Sequence, residues 1–138
     1  MAMSNELMIA WLKKHEGFNS HPYMDSVGKV TIGFGRNLDD VGISYDEAET
    51  LLLNDLQRAK DDLQGFSWYP TLPHNVKDAL INMMFNLGLT RFLTFKRMIS
   101  ALEDRDFTRA AIEALDSKWA IQVGNRAKDI ALMIRQDI

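Results

Sequence analysis

The 138-residue sequence contains no cysteine and no long apolar run, and its net charge is only −3. Without cysteine, neither a disulfide framework nor a thiolate metal site is possible. The charge provides no basic stripe of the kind that nucleic-acid binding needs. The apolar stretch at residues 7–12 is too short to span a membrane, and Lys13-Lys14-His15-Glu16 follows it in place of a small-residue cleavage site. The sequence therefore predicts neither a membrane role nor a secretory signal.

Signatures of several common catalytic classes are also missing. The Gly-Phe-Gly at 33–35 has neither the third glycine nor the βαβ context of a dinucleotide-binding loop. The three histidines, at positions 15, 21 and 74, are not spaced as a metal-binding set. No serine lies in a nucleophile elbow. We therefore expect no cofactor and no metal.

Length and composition are those of one globular domain that buries a core without covalent staples. Apolar residues make up 46% of the chain and charged residues 25%, which is ordinary for such a domain. Alternating apolar residues between glycines predict a small hairpin sheet at 22–36. Periodicity and capping residues predict helices over 4–15, 74–87, 95–103, 106–115 and 125–136. A further helix should begin at the Ser44 capping box and run to about residue 63. One small sheet followed by several helices predicts an α+β fold with two lobes that share one long helix.

A compact polar set lies near the start of the sequence. Glu16 lies at the end of the first predicted helix, directly after residue 15, Asp25 follows in a turn-like stretch, and Thr31 lies in the predicted hairpin. Two carboxylates, one next to a helix and one on a loop, are the minimum for splitting a glycosidic bond. By position alone, each residue also has an ordinary interpretation: an exposed helix-terminal charge, a turn aspartate and a β-branched strand residue.

Four ordered blocks of the sequence resemble the phage-type lysozymes, muramidases of the kind made by T-even phages. The blocks are residues 15–36, 42–49, 79–88 and 117–127, and the resemblance runs from about residue 7 to about 135. It implies a mostly helical, lysozyme-like α+β fold, with a small N-terminal β-hairpin sheet and a helical C-terminal lobe joined by a long helix. Within a single lysozyme domain, 1–138, the expected parts are a sheet-containing lobe (about 15–43), an interlobe helix (44–64) and a helical lobe (1–14 with 65–138).

The resemblance also assigns catalytic roles. It implies hydrolysis of the β-1,4 bond between N-acetylmuramic acid and N-acetylglucosamine in peptidoglycan. Glu16 matches the catalytic acid of the family. Asp25 matches the carboxylate that activates water or stabilises the cationic transition state, and Thr31 matches the residue that holds the attacking water. Such an arrangement would make the enzyme inverting.

Further residues match substrate-contacting positions. Gly35 and Asn86 match positions that line the saccharide groove of the family. Phe85 and Trp119 are further candidates that could instead be core, because an aromatic residue at helical spacing is more often core than a sugar platform. Arg126 matches the arginine that pairs with the catalytic acid. A structural pair of the family, between the sheet and the long helix, matches Arg36 and Asp55.

Two other functions share parts of this pattern. A lytic transglycosylase uses one glutamate and attack by the muramoyl 6-hydroxyl, so it does not need Asp25 and Thr31 at their present spacing. An inactive wall-binding relative is expected to lack Glu16. We therefore favour the hydrolase, as a monomer acting on peptidoglycan glycan strands, with no nucleic-acid partner and no stable membrane association. The resemblance implies synthesis in the bacterial host cytoplasm without a signal peptide, and action on the cell wall, in the periplasm or outside the cell, after release.

Overall fold

A computed structural model describes residues 2–135 and confirms a mostly helical α+β fold with one small sheet. The chain divides into two compact units, the first ending at Thr50 and the second beginning at Leu51. In chain order the elements are α1 (Asn5–Glu16), β1 (Asn19–Met24), β2 (Val30–Gly33), β3 (Arg36–Asn37), α2 (Tyr45–Gln64), α3 (His74–Leu87), α4 (Leu89–Phe92), α5 (Lys96–Glu103), α6 (Phe107–Leu115), α7 (Lys118–Val123) and α8 (Asn125–Ile134). The predicted end of the last helix, at 136, lies outside the described residues.

Helix α1 has the predicted capping residues, Ser4 and Gly17, and runs from Asn5 to Glu16, one residue later at each end than the predicted 4–15. The hydroxyl of Ser4 accepts a hydrogen bond from the Leu7 N–H at 3.2 Å, which satisfies a backbone donor in the first turn. At the other end, Gly17 adopts a φ of +70°, and its N–H donates to the carbonyl of Lys13 at 3.0 Å. A positive φ suits glycine, because it has no Cβ to clash with the backbone. The helix therefore stops directly after Glu16.

The sheet of the first unit has three antiparallel strands in the order β1-β2-β3. The predicted hairpin is confirmed, but β1 begins at Asn19, before the predicted start at 22. The pairing of β1 with β2 is irregular between Asn19 and Tyr23, a stretch that contains Pro22, which has no N–H for the ladder. Thr31 on the central strand pairs with Tyr23 on one side and Asn37 on the other.

Helix α2 begins at the predicted capping box. The Glu47 N–H donates to the Ser44 hydroxyl at 3.1 Å, and the Ser44 N–H donates to the Glu47 carboxylate at 2.9 Å. These reciprocal bonds satisfy two backbone donors that the first turn of a helix leaves unpaired. The helix starts in the first unit and continues into the second, where it buries Ala59 and Leu63.

The second unit is helical and is built around α3. Six apolar residues of α3 are buried, including Leu80, Met83 and Met84, which the sequence predicted as core. The largest fully buried side chains around them come from α2, α4, α5 and α8, and they are Leu63, Phe92, Met98, Leu102, Ile130 and Ile134. Gly88 ends α3 at a φ of +77°, as its position in the sequence predicted.

Two short helices, α4 and α7, were not predicted. With four and six residues, they are too short to show a helical apolar period. Helix α7 nevertheless carries a recognisable cap, because the Ser117 hydroxyl accepts from the Ala120 N–H at 3.1 Å. Among the described helices, none is both long and apolar enough to cross a membrane.

Candidate active site

Glu16 and Gly35 lie against each other in the first unit. Glu16 is exposed at the last position of α1, and Gly35 lies in the turn that joins β2 to β3. A methyl group on the Cα of Gly35 would lie only 2.6 Å from Oε2 of Glu16 and 3.0 Å from its Cδ. Gly35 also has a φ of +79°, a conformation that other residues rarely adopt. The turn therefore brings backbone, and no side chain, up to the carboxylate of Glu16.

Asp25 is held by the turn between β1 and β2. Its Oδ1 accepts hydrogen bonds from the N–H groups of Val27 at 2.9 Å and Lys29 at 2.8 Å. The backbone of Asp25 also pairs with Lys29, and its carbonyl accepts from Gly28. The turn interpretation of this aspartate is therefore correct, and it is compatible with the catalytic one. Within residues 2–135, no hydrogen bond is formed by the second oxygen, Oδ2.

Thr31 is the one buried polar residue in the described part of the chain, with 4% of its surface exposed. Its hydroxyl donates to the carbonyl of Lys29 at 3.0 Å. The N–H of the same lysine binds Asp25. The two backbone groups of Lys29 thus hold the side chains of Asp25 and Thr31, one each. With its proton engaged, the hydroxyl of Thr31 keeps lone pairs that can accept from water.

In the second unit, Asn86 and Trp119 form a pair. The indole N–H of Trp119 donates to Oδ1 of Asn86 at 2.7 Å. Trp119 is 3% exposed, and its ring meets Phe95 edge-on at 6.0 Å. This burial favours the core interpretation of Trp119, which then acts on the surface through Asn86. Asn86 itself is exposed, and its orientation is fixed by the indole.

Phe85 and Arg126 line the same cavity of the second unit, which has a volume of about 310 Å³ and a largely apolar wall. Phe85 is 37% exposed. Nε of Arg126 donates to Oδ1 of Asn82 at 2.8 Å, and its Nη2 donates to the carbonyl of Asn82 at 3.3 Å. Asn82 therefore orients the guanidinium at the rim of this cavity, a role that the sequence argument did not assign.

The partner of Arg36 is a residue that the sequence argument missed. The resemblance suggested Asp55, but the carboxylate that Arg36 binds is that of Glu47, with Nη1–Oε1 and Nη2–Oε2 distances of 2.8 and 2.5 Å. The hydrogen bonds from Arg36 are the main cause that lowers the pKa of the Glu47 carboxyl to about 2, and the same pair raises the pKa of Arg36. The capping box identified Glu47 in the sequence, but a second role for its carboxylate has no sequence signal.

A carboxylate at a helix end, beside a small antiparallel sheet that holds a second carboxylate and a buried threonine, has the parts of a glycoside hydrolase site. Comparison with known proteins is consistent with this. The sequence profile of the phage lysozyme family matches residues 13–137, so the chain belongs to that family. It is a lysozyme, a muramidase that cleaves peptidoglycan.

Three individual relatives are distant in sequence, and two of them are similar to this chain in extent. A "Probable T4-type lysozyme 1" of Dictyostelium discoideum is 29% identical, over 89% of this chain and 90% of its own length. An "Endolysin" of Acyrthosiphon pisum secondary endosymbiont phage 1 is also 29% identical, over 84% of this chain and 79% of its own. The "Pre-baseplate central spike protein" of Enterobacteria phage T4 is 25% identical over 94% of this chain, which is matched by 28% of that longer protein.

Proposed function

We propose that the enzyme hydrolyses the β-1,4 bond between N-acetylmuramic acid and N-acetylglucosamine by an inverting mechanism with Glu16 as general acid. The proton of the Glu16 carboxyl passes to the glycosidic oxygen as that oxygen leaves C1 of the muramoyl residue. The observation that carries this assignment is the bare backbone of Gly35 against the carboxylate. Glu16 is exposed and the residue against it has no side chain, so its carboxyl can meet a sugar ring from the solvent side.

In this proposal, Thr31 positions the attacking water and Asp25 activates it. Thr31 accepts a hydrogen bond from the water, whose oxygen attacks C1 on the face opposite to the leaving group. Asp25 takes the released proton at Oδ2, since Oδ1 is engaged by two backbone donors. One water is consumed, Glu16 ends ionised and Asp25 ends protonated, and exchange with solvent restores both. The new reducing end is then the α anomer.

Substrate contacts in the second unit are proposed for exposed groups. Asn86, held by Trp119, presents an amide, and Phe85 and Arg126 present an apolar surface and a cation beside one cavity. We propose that these groups bind the glycan strands of peptidoglycan. The whole chain would act as one lysozyme domain and as a monomer, with no nucleic-acid partner and no stable membrane association. The relative that is an endolysin of a phage supports synthesis in a bacterial host and action on the cell wall after release.

The first experiment replaces the proposed acid. Glu16→Gln removes the proton and keeps the size of the side chain, so the rate of peptidoglycan cleavage should fall by about 10²–10⁴-fold. Glu6→Gln, in the first turn of the same helix, is the matched control and should keep the wild-type rate. If Glu16→Gln retains more than about a tenth of the wild-type rate of peptidoglycan cleavage, the general-acid assignment is overturned.

The second experiment identifies the nucleophile and the stereochemistry. Nuclear magnetic resonance of the first-formed sugar should show the α anomer, and Asp25→Asn and Thr31→Ala should each slow its appearance without unfolding the sheet. A β product would require direct attack by Asp25, with the carboxyls only about 5–5.5 Å apart. Fragments that end mainly in 1,6-anhydro sugars would show that the muramoyl 6-hydroxyl is the nucleophile, as in a lytic transglycosylase.

A further inference from the structure

Arg36, Gly42, Ser44 and Glu47 form a connected set of hydrogen bonds that we call the Arg36–Glu47 bridge. The guanidinium binds both carboxylate oxygens of Glu47, and its Nη1 also donates to the carbonyl of Gly42 at 3.1 Å. Oε1 of Glu47 accepts in addition from the N–H of Ser44. The bridge thus joins the first residue of β3 to the first turn of α2.

This bridge is better fixed than an ordinary surface ion pair. A planar guanidinium that binds a carboxylate through two parallel bonds has a defined direction, which a lysine ammonium does not provide. The carboxylate is itself fixed by the capping box, so the anchor is the end of a helix. Arg36 and Glu47 are also partly shielded, with 36% and 43% of their side-chain surfaces exposed.

The bridge is adjacent in sequence to the contact with the proposed acid. Arg36 pairs with Ile32 across the β2–β3 turn, so the three residues 33–35 form its loop. Gly33 and Gly35 both have positive φ values, and neither has a side chain that could anchor the loop. Phe34, between the two glycines, packs its ring against that of Phe18 at 5.3 Å and lies 5.2 Å from Nζ of Lys13, so it anchors the middle of the loop. Arg36 fixes the end of the loop next to Gly35, and Gly35 is the residue that abuts the carboxylate of Glu16.

We propose that the Arg36–Glu47 bridge is a positioning device for the general acid. It holds the backbone at Gly35 in place, and Gly35 in turn limits the orientations of the Glu16 carboxyl. Neither Arg36 nor Glu47 touches the reacting atoms. The catalytic part of this inference rests on the proposed function of Glu16, whereas the structural part can be tested without any catalysis.

The test uses Arg36→Met, which keeps an unbranched apolar stem and removes all three donated bonds. A misplacement of about 1 Å can cost about 10²-fold in rate, so kcat should fall by about 10-fold or more while KM changes little. Arg36→Lys retains the charge but not the two parallel hydrogen bonds of the planar guanidinium, so it should restore only part of kcat. Ser4→Ala, which removes the cap of α1, is the control for lost stability and should keep kcat.

A double-mutant cycle distinguishes positioning from a simple effect of charge. If the bridge acts as a unit, Arg36→Met, Glu47→Gln and the double variant all lower kcat, and the double costs no more than Arg36→Met alone. If the charges act independently at long range, removing a cation and removing an anion should change kcat in opposite directions. That second outcome would overturn the proposal.

A measurement without substrate separates this inference from the proposed function. The nuclear Overhauser effect between the γ protons of Glu16 and the α protons of Gly35 should be clear in wild type and Ser4→Ala and weak in Arg36→Met. A retained effect in a folded Arg36→Met protein overturns the positioning role. If the Overhauser effect weakens in Arg36→Met but kcat stays at the wild-type value, while Glu16→Gln is inactive, the positioning role is also overturned.

The same measurements distinguish failure of the proposed function. If Glu16→Gln is active, the proposed function fails, and the Overhauser effect alone decides whether the bridge fixes the turn. Should Arg36→Met not fold, Arg36→Lys and Glu47→Gln undergo the same comparison.

Discussion

Gly35→Ala should separate catalysis from stability more sharply than other single changes in the first unit. The added methyl would lie 2.6 Å from Oε2 of Glu16, whereas an ordinary contact begins at 3.4 Å. The difference between these distances means that the carboxyl oxygen must move by about 0.8 Å. Because that oxygen is at the far end of a flexible side chain, the movement costs little folding free energy. It displaces the group on which the proposed chemistry depends.

Two opposing terms set the stability of this variant. An alanine at a φ of +79° costs about 1–2 kcal/mol of folding free energy. The restricted unfolded chain of alanine returns about 0.4–1 kcal/mol. The net loss is therefore about 1 kcal/mol on these values, which leaves the protein folded. A displacement close to 1 Å at the acid should lower kcat by about 10- to 100-fold.

Gly33→Ala is the matched control for this prediction. Gly33 lies in the same turn at a φ of +69°, and a methyl group there meets no atom within 4 Å. It should lose a similar amount of stability and keep its activity. Both variants are assayed by the release of reducing ends from purified peptidoglycan, well below melting temperatures measured by circular dichroism. The reasoning is refuted if both variants lose the same activity, or if Gly35→Ala keeps more than half of the wild-type kcat.

Three further predictions concern stability and wall binding. Ser44→Ala should lower the free energy of unfolding by about 0.5–2 kcal/mol, because the Glu47 N–H loses its acceptor; an unchanged denaturation midpoint would contradict this. Because folding lowers the pKa of the Glu47 carboxyl to about 2, its stabilising effect is present above the ordinary carboxyl pKa and is lost as the pH falls toward 2. The melting temperature of Glu47→Gln should therefore depend less on pH than that of the wild type between about pH 2 and the ordinary carboxyl pKa. An equal pH dependence in the two proteins would contradict this prediction. With a net charge of −3, lysis should decline less steeply with added salt than for a strongly basic lysozyme, since attraction to the wall is screened over about 8 Å. A salt series as steep as that of a basic lysozyme would reveal a local basic patch.

Much of the fold was predictable because its signals are local. Ser4 and Gly17 cap the two ends of α1, the pair Ser44 and Glu47 caps the start of α2, and Gly88 ends α3. Each of these signals depends only on neighbours in the sequence. The short helices α4 and α7 escaped prediction because a helix of one or two turns shows no period. The Ser117 cap was the available signal for α7.

The candidate site was predictable as a set of residues and not as a set of contacts. The resemblance identified Glu16, Asp25, Thr31 and Gly35, but it did not indicate what holds each one. Asp25 and Thr31 bind the backbone of a residue between them, and backbone groups leave no trace in residue identity. The choice of Glu47 by Arg36 depends on where a turn and a helix end meet in space.

The way in which Lys29 holds the proposed water-handling pair has a consequence for evolution and engineering. The backbone N–H and carbonyl of Lys29 form the hydrogen bonds to Asp25 and Thr31. Its side chain instead forms a half-exposed ion pair with Asp40 at 3.1 Å. Such surface pairs contribute little to stability. Position 29 should therefore accept many residue types without loss of chemistry, provided that proline, which has no N–H, is avoided. A spectroscopic label or an altered charge can be introduced there, two residues from the buried threonine, without changing a group that takes part in the reaction.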